Sequence, residues 1–138
     1  MMYEVKIGCC VKKIKHIIKK DKNLYQALNY GIKISKGNVI SILHSGDIFF
    51  NNSITNYYMA NMAKHDAISG NIIFVKKNKI KRLWNYEIKK LNINNSFKIA
   101  HTSLVIKKKF FNLIGNYNTK YSISSDTDFI LRMSRKQN

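Results

Sequence analysis

The sequence predicts an α/β fold in which helices flank a mixed β-sheet. Three observations lead to this prediction. Apolar residues recur at helical spacing across residues 24–32, which is the pattern of a helix with one buried face. A nearly continuous apolar run follows at residues 39–43, as in a strand that is covered on both faces of a parallel sheet. A second strand-like run at residues 101–106 leads directly into another short helix.

Two strands are predicted before the first helix. Val5, Ile7 and Cys9 alternate with Lys6 and Gly8, and alternation with a period of two is the signature of a strand. The β-branched run at residues 14–18 predicts a second strand, although its spacing also fits the face of a helix. Asp21 is expected to cap the following helix, and Gly37 is expected to end it in the left-handed conformation.

The rest of the chain divides into short elements. Ser53 is expected to begin a helix that runs to Met62. Residues 67–75 predict a strand interrupted at Gly70, with a partner at residues 79–83. After the strand at residues 101–106, the pattern predicts a short helix over residues 107–113 and a last helix over residues 126–133, which Ser125 or Asp126 would cap.

The composition is that of a single globular domain. With 138 residues, of which 45% are hydrophobic and 12% aromatic, the chain can bury a core of its own. It has no apolar run long enough to span a bilayer and no secretory leader pattern, so a cytoplasmic location is expected. The adjacent Cys9 and Cys10 are expected to be reduced and at least partly buried, with a vicinal redox or metal role as the alternative.

The charge is strongly positive, at a formal +18. It comes almost entirely from lysine, in a chain rich in Ile and Asn and without Pro. A gene biased towards A and T would produce this composition, because lysine, asparagine and isoleucine share A- and T-rich codons. In this interpretation, the lysines form a face of the protein that is exposed to solvent and has no specific anionic partner. The alternative is an anionic partner, with a membrane surface ahead of DNA.

Against 25 Lys and Arg the chain has only seven carboxylates, so acids that lie in turns or at strand ends are candidates for chemistry. Asp47 follows the apolar strand in the turn Ser45-Gly46-Asp47. In open α/β sheets, ligands bind beyond the carboxyl ends of strands. Asp126 and Asp128 stand together near the predicted start of the last helix, and Asp128 is expected to pair with Arg132, four residues later on the same helix face.

Four blocks of the sequence resemble family 2 glycosyltransferases with the GT-A fold. Residues 21–32, DKNLYQALNYGI, are similar to the family's D-K-G-I-Y-D-A-M-N-K-G-I segment, and residues 37–47, GNVISILHSGD, to its strand and metal turn. Residues 101–117, HTSLVIKKKFFNLIGNY, and residues 123–132, ISSDTDFILR, are similar to the next two blocks. The four blocks keep the family's order and cover most of residues 14–133.

The resemblance implies a reaction in which a sugar moves from a nucleotide-diphosphate donor to a hydroxyl acceptor, usually with inversion, during synthesis of a surface polysaccharide or glycolipid. It implies Asp47 as the ligand of a divalent metal, Mn²⁺ or Mg²⁺, because a hard cation that holds the diphosphate prefers carboxylate oxygens. It implies Asp126 as the base that takes the acceptor's proton. The donor or the acceptor would contact four further residues, Tyr25, Asn29, Ser45 and His101.

Several departures leave other interpretations open. Few residues precede Tyr25, so residues 1–138 are expected to form a partial, N-terminally truncated family 2 domain that lacks the first βα units. The alternatives are an inactive remnant of such an enzyme and a small basic nucleic-acid-binding module; no specific nucleic-acid motif appears. Asp47 could also be a turn residue, and Asp126 a helix cap. Lys-rich segments are expected to permit peripheral contact with the anionic inner face of a membrane.

Overall fold

The computed structural model describes residues 2–7, 15–51 and 53–136, with side chains from residue 15 onwards. These residues form a mixed α/β structure of four α-helices and three small sheets. The strands and helices follow one another in the order β1 Met2–Ile7, β2 Lys15–Lys20, α1 Leu24–Ile34, β3 Val39–Ser41, α2 Ser53–Asn61, β4 Ala67–Ser69, β5 Ile72–Lys76, β6 Lys79–Trp84, β7 Leu104–Lys107, α3 Lys108–Ile114 and α4 Ser125–Arg135.

The central sheet has the order β3-β7-β4, and both pairings are antiparallel. Ile40 lies opposite Ile106, and Ile68 lies opposite Val105. The remaining strands pair as β1 with β2 and β5 with β6, also antiparallel. The mixed sheet and the parallel strand at residues 39–43 were therefore wrong for the described residues. An apolar run indicates that a strand is buried on both faces, but it does not indicate whether the strand runs parallel or antiparallel to its neighbours.

Side chains cover the central sheet on both faces, although Leu43, at the end of the predicted run 39–43, is 47% exposed. Leu104 and Ile106 of β7 pack into a large apolar cluster that also contains Phe111, Phe129 and Met133. Val105 lies between them in sequence and packs on the other face, against two residues of the α2 region, Tyr58 and Met62. Alternate residues of a strand point to opposite faces, so β7 contributes to both clusters and is the centre of the fold.

Helix α1 begins and ends at residues other than those expected. Its cap is Asn23, whose side chain accepts a hydrogen bond from the backbone N–H of Gln26 at 3.0 Å. Asp21 lies too early for that role; it is buried and pairs with Lys19. The helix stops at Ser35, whose N–H donates to the carbonyl of Gly31. Gly37 does not adopt a positive φ, so its predicted role as a left-handed stop was wrong.

Helix α4 also lacks the predicted cap. The residue before it is Ser124, in the left-handed conformation with φ of 66° and no capping hydrogen bond from its side chain. Ser125 is fully buried and its hydroxyl has no partner within the described residues. The Asp128–Arg132 pair expected from their spacing is confirmed, with Arg132 Nε 2.9 Å from Asp128 Oδ2. Arg132 also donates to the backbone carbonyls of Ile114 and Asn116.

The other elements agree closely with the sequence. Strands β4 and β5 lie on either side of Gly70, β6 matches the predicted partner, and α2 and α3 begin within one residue of the expected positions. The strand predicted from residue 101 begins at Leu104, after a 3₁₀ turn over His101–Ser103. Cys9 and Cys10 lie outside the described residues. No helix in the described ranges has the length and hydropathy needed to cross a membrane.

Candidate functional site

Asp126 lies in the first turn of α4 and joins three parts of the chain. Its Oδ1 accepts a hydrogen bond from the hydroxyl of Tyr25 in α1 at 2.9 Å. Its Oδ2 lies 2.8 Å from Nδ1 of His101, in the turn before β7. Both oxygens of one carboxylate are therefore held by side chains from other elements. Such a pair of hydrogen bonds holds the carboxylate in one orientation and stabilises its ionised form.

A second histidine extends this arrangement. Nε2 of His44 lies 2.7 Å from Nε2 of His101, and the two rings meet edge to face at a centroid distance of 5.0 Å. Because one ring nitrogen must donate and the other accept, two proton arrangements are possible. In the first, neutral His44 donates to neutral His101. In the second, a proton has been added and the imidazole pair is cationic. The contacts run in the order Tyr25, Asp126, His101, His44, and we call these four side chains the histidine–aspartate array.

The surroundings shift the pKa values of Tyr25, His44 and Asp126 in different directions. The hydrogen bond from His101 is the main reason that the pKa of Asp126 lies well below its ordinary range, and the Tyr25 hydrogen bond adds to it against the effect of burial. Burial, followed by the hydrogen bond to Asp126, raises the pKa of Tyr25. Burial and the neighbouring His101 lower the pKa of His44 below 6.5. At neutral pH, Asp126 is therefore ionised, Tyr25 is a donor and His44 is uncharged.

The acidic turn follows β3 and passes close to His44. Gly46 has a positive φ of 89°, which glycine adopts without strain. The N–H of Asp47 donates to the carbonyl of His44 at 3.0 Å. Asp47 and Ser45 are both exposed. The negative charges of Asp47 and of Asp126 each favour the cationic form of His44, so this imidazole lies within the electrostatic reach of both acids.

Asn29 has a different environment. Its Nδ2 donates to the backbone carbonyl of Tyr117 at 2.8 Å, and its Oδ1 accepts from the N–H of Tyr117 at 3.0 Å. The side-chain amide therefore makes both hydrogen bonds that a paired strand residue would make, and these two bonds connect α1 to the segment between α3 and α4. Asn29 also borders a cleft of about 550 Å³ beside α1 and α3, and neither Asp126 nor either histidine of the array lines that cleft.

The donor atoms can be compared with the needs of a divalent cation. Among the described side chains, in residues 15–51 and 53–136, no three His, Cys, Asp or Glu residues lie together as a metal site. Both oxygens of Asp126 already contact protein groups. The exposed carboxylate of Asp47 can supply one ligand. Mg²⁺ is commonly held in this way, by one or two carboxylates together with substrate phosphates and water, so the residues fit a cation that arrives with a diphosphate.

The sequence predicted Tyr25, His101 and Asp126 as site residues, and the structure brings these three together. The sequence did not predict His44 as a site residue. The position of His44 can be predicted once the pairing of β3 with β7 is known. In this antiparallel ladder each step forward in β3 is a step backward in β7, from Val39 opposite Lys107 to Ser41 opposite Val105. Continuing the same register beyond the ladder brings residues 44 and 45 opposite residues 102 and 101, which is where the two histidines meet.

Comparison with protein-family models, curated proteins and solved structures found no match for this chain.

Proposed function

We propose that the chain is a glycosyltransferase domain of family 2 with a partial GT-A fold. It transfers a sugar from a nucleotide-diphosphate donor to a hydroxyl of a saccharide or lipid-linked acceptor, on the cytoplasmic side of the membrane. The observation that supports the proposal best is the position of His44. The two acids that the resemblance assigns to chemistry, Asp47 and Asp126, are 79 positions apart in sequence. His44 nevertheless lies between them, because its carbonyl accepts from the N–H of Asp47 and its ring meets His101, which contacts Asp126.

In the proposed reaction, the acceptor oxygen forms a bond to the anomeric carbon while the bond from that carbon to the diphosphate breaks. The acceptor's proton passes to the histidine–aspartate array, and the electron pair leaves with the nucleoside diphosphate. A divalent cation, with Asp47 as its protein ligand, would supply charge stabilisation to the leaving diphosphate. Asn29 and Ser45 would lie on the donor side of the reacting centre.

We assign different roles in the proton transfer to the carboxylate and the imidazole rings of the array. A carboxylate whose pKa is well below its ordinary range is a weak base by itself, because general-base catalysis is most efficient when the pKa lies near the working pH. Asp126 instead fixes the ring of His101 and stabilises the positive charge that an imidazole gains with a proton. This is the role of a carboxylate that supports a histidine base. Tyr25 holds the other carboxylate oxygen in place.

The first test is a calorimetric titration of the folded chain with UDP in the presence of Mn²⁺. We expect metal-dependent binding that Asp47→Asn weakens by at least about tenfold, since a charge-assisted ligand is lost. Asp66→Asn is the matched control. Asp66 is an exposed acid that pairs with Lys107, at the end of β7 away from His101, so its replacement should leave UDP binding unchanged.

The second part of the test measures sugar transfer with the donor that binds. Asp126→Asn should lower the transfer rate by about 10²–10⁴-fold, because the histidine base loses the carboxylate that orients it and stabilises its positive charge, while UDP binding persists. A folded chain that binds no UDP with Mn²⁺ would contradict the active-enzyme proposal and favour an inactive remnant. Equal loss of binding in Asp47→Asn and Asp66→Asn would contradict the assignment of Asp47.

A further inference from the structure

The β5–β6 hairpin is a sheet of its own, and it has an unusual distribution of side chains. A two-residue turn, Lys77-Asn78, joins the strands with positive φ at both positions, which suits the twist of a tight hairpin. The register shifts between Phe74 and Val75, so that Phe74 lies opposite Arg82 but Val75 lies opposite Ile80. This irregularity leaves Lys81 without an opposite residue and changes which side chains of β6 share a face.

One face of the hairpin consequently carries only aliphatic side chains. They come from two opposite pairs, Ile73 with Leu83 and Val75 with Ile80, and we call this surface the aliphatic face. Three of the four are well exposed, Val75 at 58%, Ile80 at 69% and Leu83 at 55%. On the other face, Phe74 stacks on Trp84, and the Arg82 guanidinium lies over both rings.

Beside the aliphatic face, the end of the hairpin is strongly cationic. A cleft of about 360 Å³ there is lined by four lysines, which we call the lysine tip: Lys76, Lys77, Lys79 and Lys81. No carboxylate occurs anywhere from residue 67 to residue 86. The lysine charges therefore have no acidic partner within the hairpin, and a concave cluster of cations is suited to phosphate groups.

We propose that the β5–β6 hairpin docks onto an anionic lipid bilayer. The lysine tip contacts lipid phosphates, and the aliphatic face enters the boundary between headgroups and acyl chains. Apolar contact and a basic cluster are the two contributions that together give stable attachment to a membrane surface. The proposal rests on the hairpin alone and does not depend on the proposed transferase activity.

Two other occupants fit the same surface less well. A second copy of the chain could cover the aliphatic face, but a symmetric contact would bring two lysine tips close together, and like charges in apposition oppose association. A nucleic acid would satisfy the lysines, but it would leave Val75, Ile80 and Leu83 without an apolar partner. The aromatic rings that could stack on bases, Phe74 and Trp84, already stack on each other. Only a lipid surface uses both features.

The test is co-flotation of the full chain with vesicles of two compositions. One contains equal parts of phosphatidylglycerol and phosphatidylcholine, and the other contains phosphatidylcholine alone. We expect binding to the anionic vesicles and none to the neutral ones.

Two variants separate the contributions of charge and apolar contact. In the first, all four lysines of the tip become Gln. Since each lysine near an anionic surface strengthens binding by about fivefold, the loss of all four should lower affinity by about several hundredfold. The matched control makes the same change at four scattered exposed lysines: Lys36, Lys64, Lys90 and Lys120. The control should retain most of the binding. In the second variant, Ile80→Ser should weaken binding by about tenfold or less.

Three outcomes would overturn the proposal. Equal loss of flotation in the tip variant and the scattered variant would mean that overall charge, and not the hairpin, attracts the vesicles. Tight binding to a DNA duplex without binding to anionic vesicles would assign the hairpin to nucleic acid. Dimerisation abolished by Ile80→Ser, in a chain that ignores vesicles, would assign the aliphatic face to a second copy. Circular dichroism of each variant establishes that it is folded.

Discussion

At the scale of single residues, the geometry of Asp126 depends on side chains that are remote in sequence. Its hydrogen-bond partner Tyr25 lies 101 positions earlier in the chain. Tyr25 is buried, its ring packs near Tyr117 at a centroid distance of 5.7 Å, and its hydroxyl alone reaches the carboxylate. Apolar packing thus positions the ring, and the ring positions the donor. The core therefore holds Tyr25 in place, and Tyr25 in turn holds the carboxylate of Asp126.

The pH dependence of stability should reveal the environment of His44. Burial and His101 lower its pKa in the folded chain below 6.5. Below about pH 6.5 the unfolded chain therefore takes up a proton that the folded chain resists. The contribution of His44 to stability is fully present above that pH and is lost as the pH falls towards its folded pKa. The free energy of unfolding of the native chain should decrease between about pH 7.5 and pH 5.5.

The measurement is urea unfolding across this range for the native chain and His44→Gln. The variant should show a shallower decrease, by at most about 1.4 kcal/mol per pH unit, the limit for one proton. His65→Gln makes the same chemical change on an exposed turn and should follow the native profile. Identical pH profiles for the native chain and His44→Gln would contradict the proposed environment of His44.

At the scale of elements, the short strands depend on close contacts between neighbours. Gly70 separates β4 from β5, and its N–H donates to the carbonyl of Ser103 beside β7. A side chain there would meet the hydroxyl of Tyr58, since a Cβ would lie only 2.6 Å from that oxygen. Burial raises the pKa of Tyr58, which keeps the phenol protonated. The break between the two strands is thus also a place where a side chain of α2, Tyr58, lies close to the backbone of the sheet.

Gly70→Ala should therefore destabilise the fold by about 1–3 kcal/mol, the usual cost of overpacking. Tyr58→Phe removes the oxygen that the new methyl group would meet, so the double variant should recover much of this loss. Thermal or urea unfolding of the two single variants and the double variant gives the coupling energy, expected to be at least about 0.5 kcal/mol. Strictly additive effects of the two substitutions would mean that the contact at Gly70 does not limit packing.

At the scale of the whole molecule, stability is concentrated around α4. Phe129 is completely buried, and its ring stacks on Phe111 at a centroid distance of 5.0 Å and lies 4.9 Å from that of Tyr117. Met133 and Ile130 complete the buried face of the helix. The β5–β6 hairpin, in contrast, is largely exposed. The candidate site at Asp126 belongs to the strongly packed region, whereas the proposed membrane contact belongs to the weakly packed one.

Phe129→Ala should cost about 3–5 kcal/mol, as expected for a large cavity in a rigid core. Domains of this size have a total stability of about 5–15 kcal/mol, so the variant should be near the limit of folding at room temperature. The control is Phe50→Ala, since Phe50 is 76% exposed and its loss should change stability by less than about 0.5 kcal/mol. Similar unfolding midpoints for the two variants would contradict the proposed concentration of stability around α4.

The positions of the elements could be predicted from the sequence because they depend on local periodicity and breakers. The break at Gly70, the Asp128–Arg132 pair and the helices α2 and α3 follow from spacing alone. Caps were predicted less well. Asn23 caps α1 because it directly precedes Leu24, whereas Asp21 lies too early and pairs with Lys19. The local pattern did not show which of the two polar residues stands directly before the first turn.

By itself, then, the sequence determined an α/β chain of short elements and named Tyr25, His101 and Asp126 as residues to examine. Tertiary structure alone decided that the central strands are antiparallel and that His44 meets His101. The physical reason is that hydrophobic burial is non-directional, so an apolar strand can pair in either sense. Strand direction and register depend on backbone hydrogen bonds between distant segments, and that register brings together two histidines separated by 57 positions.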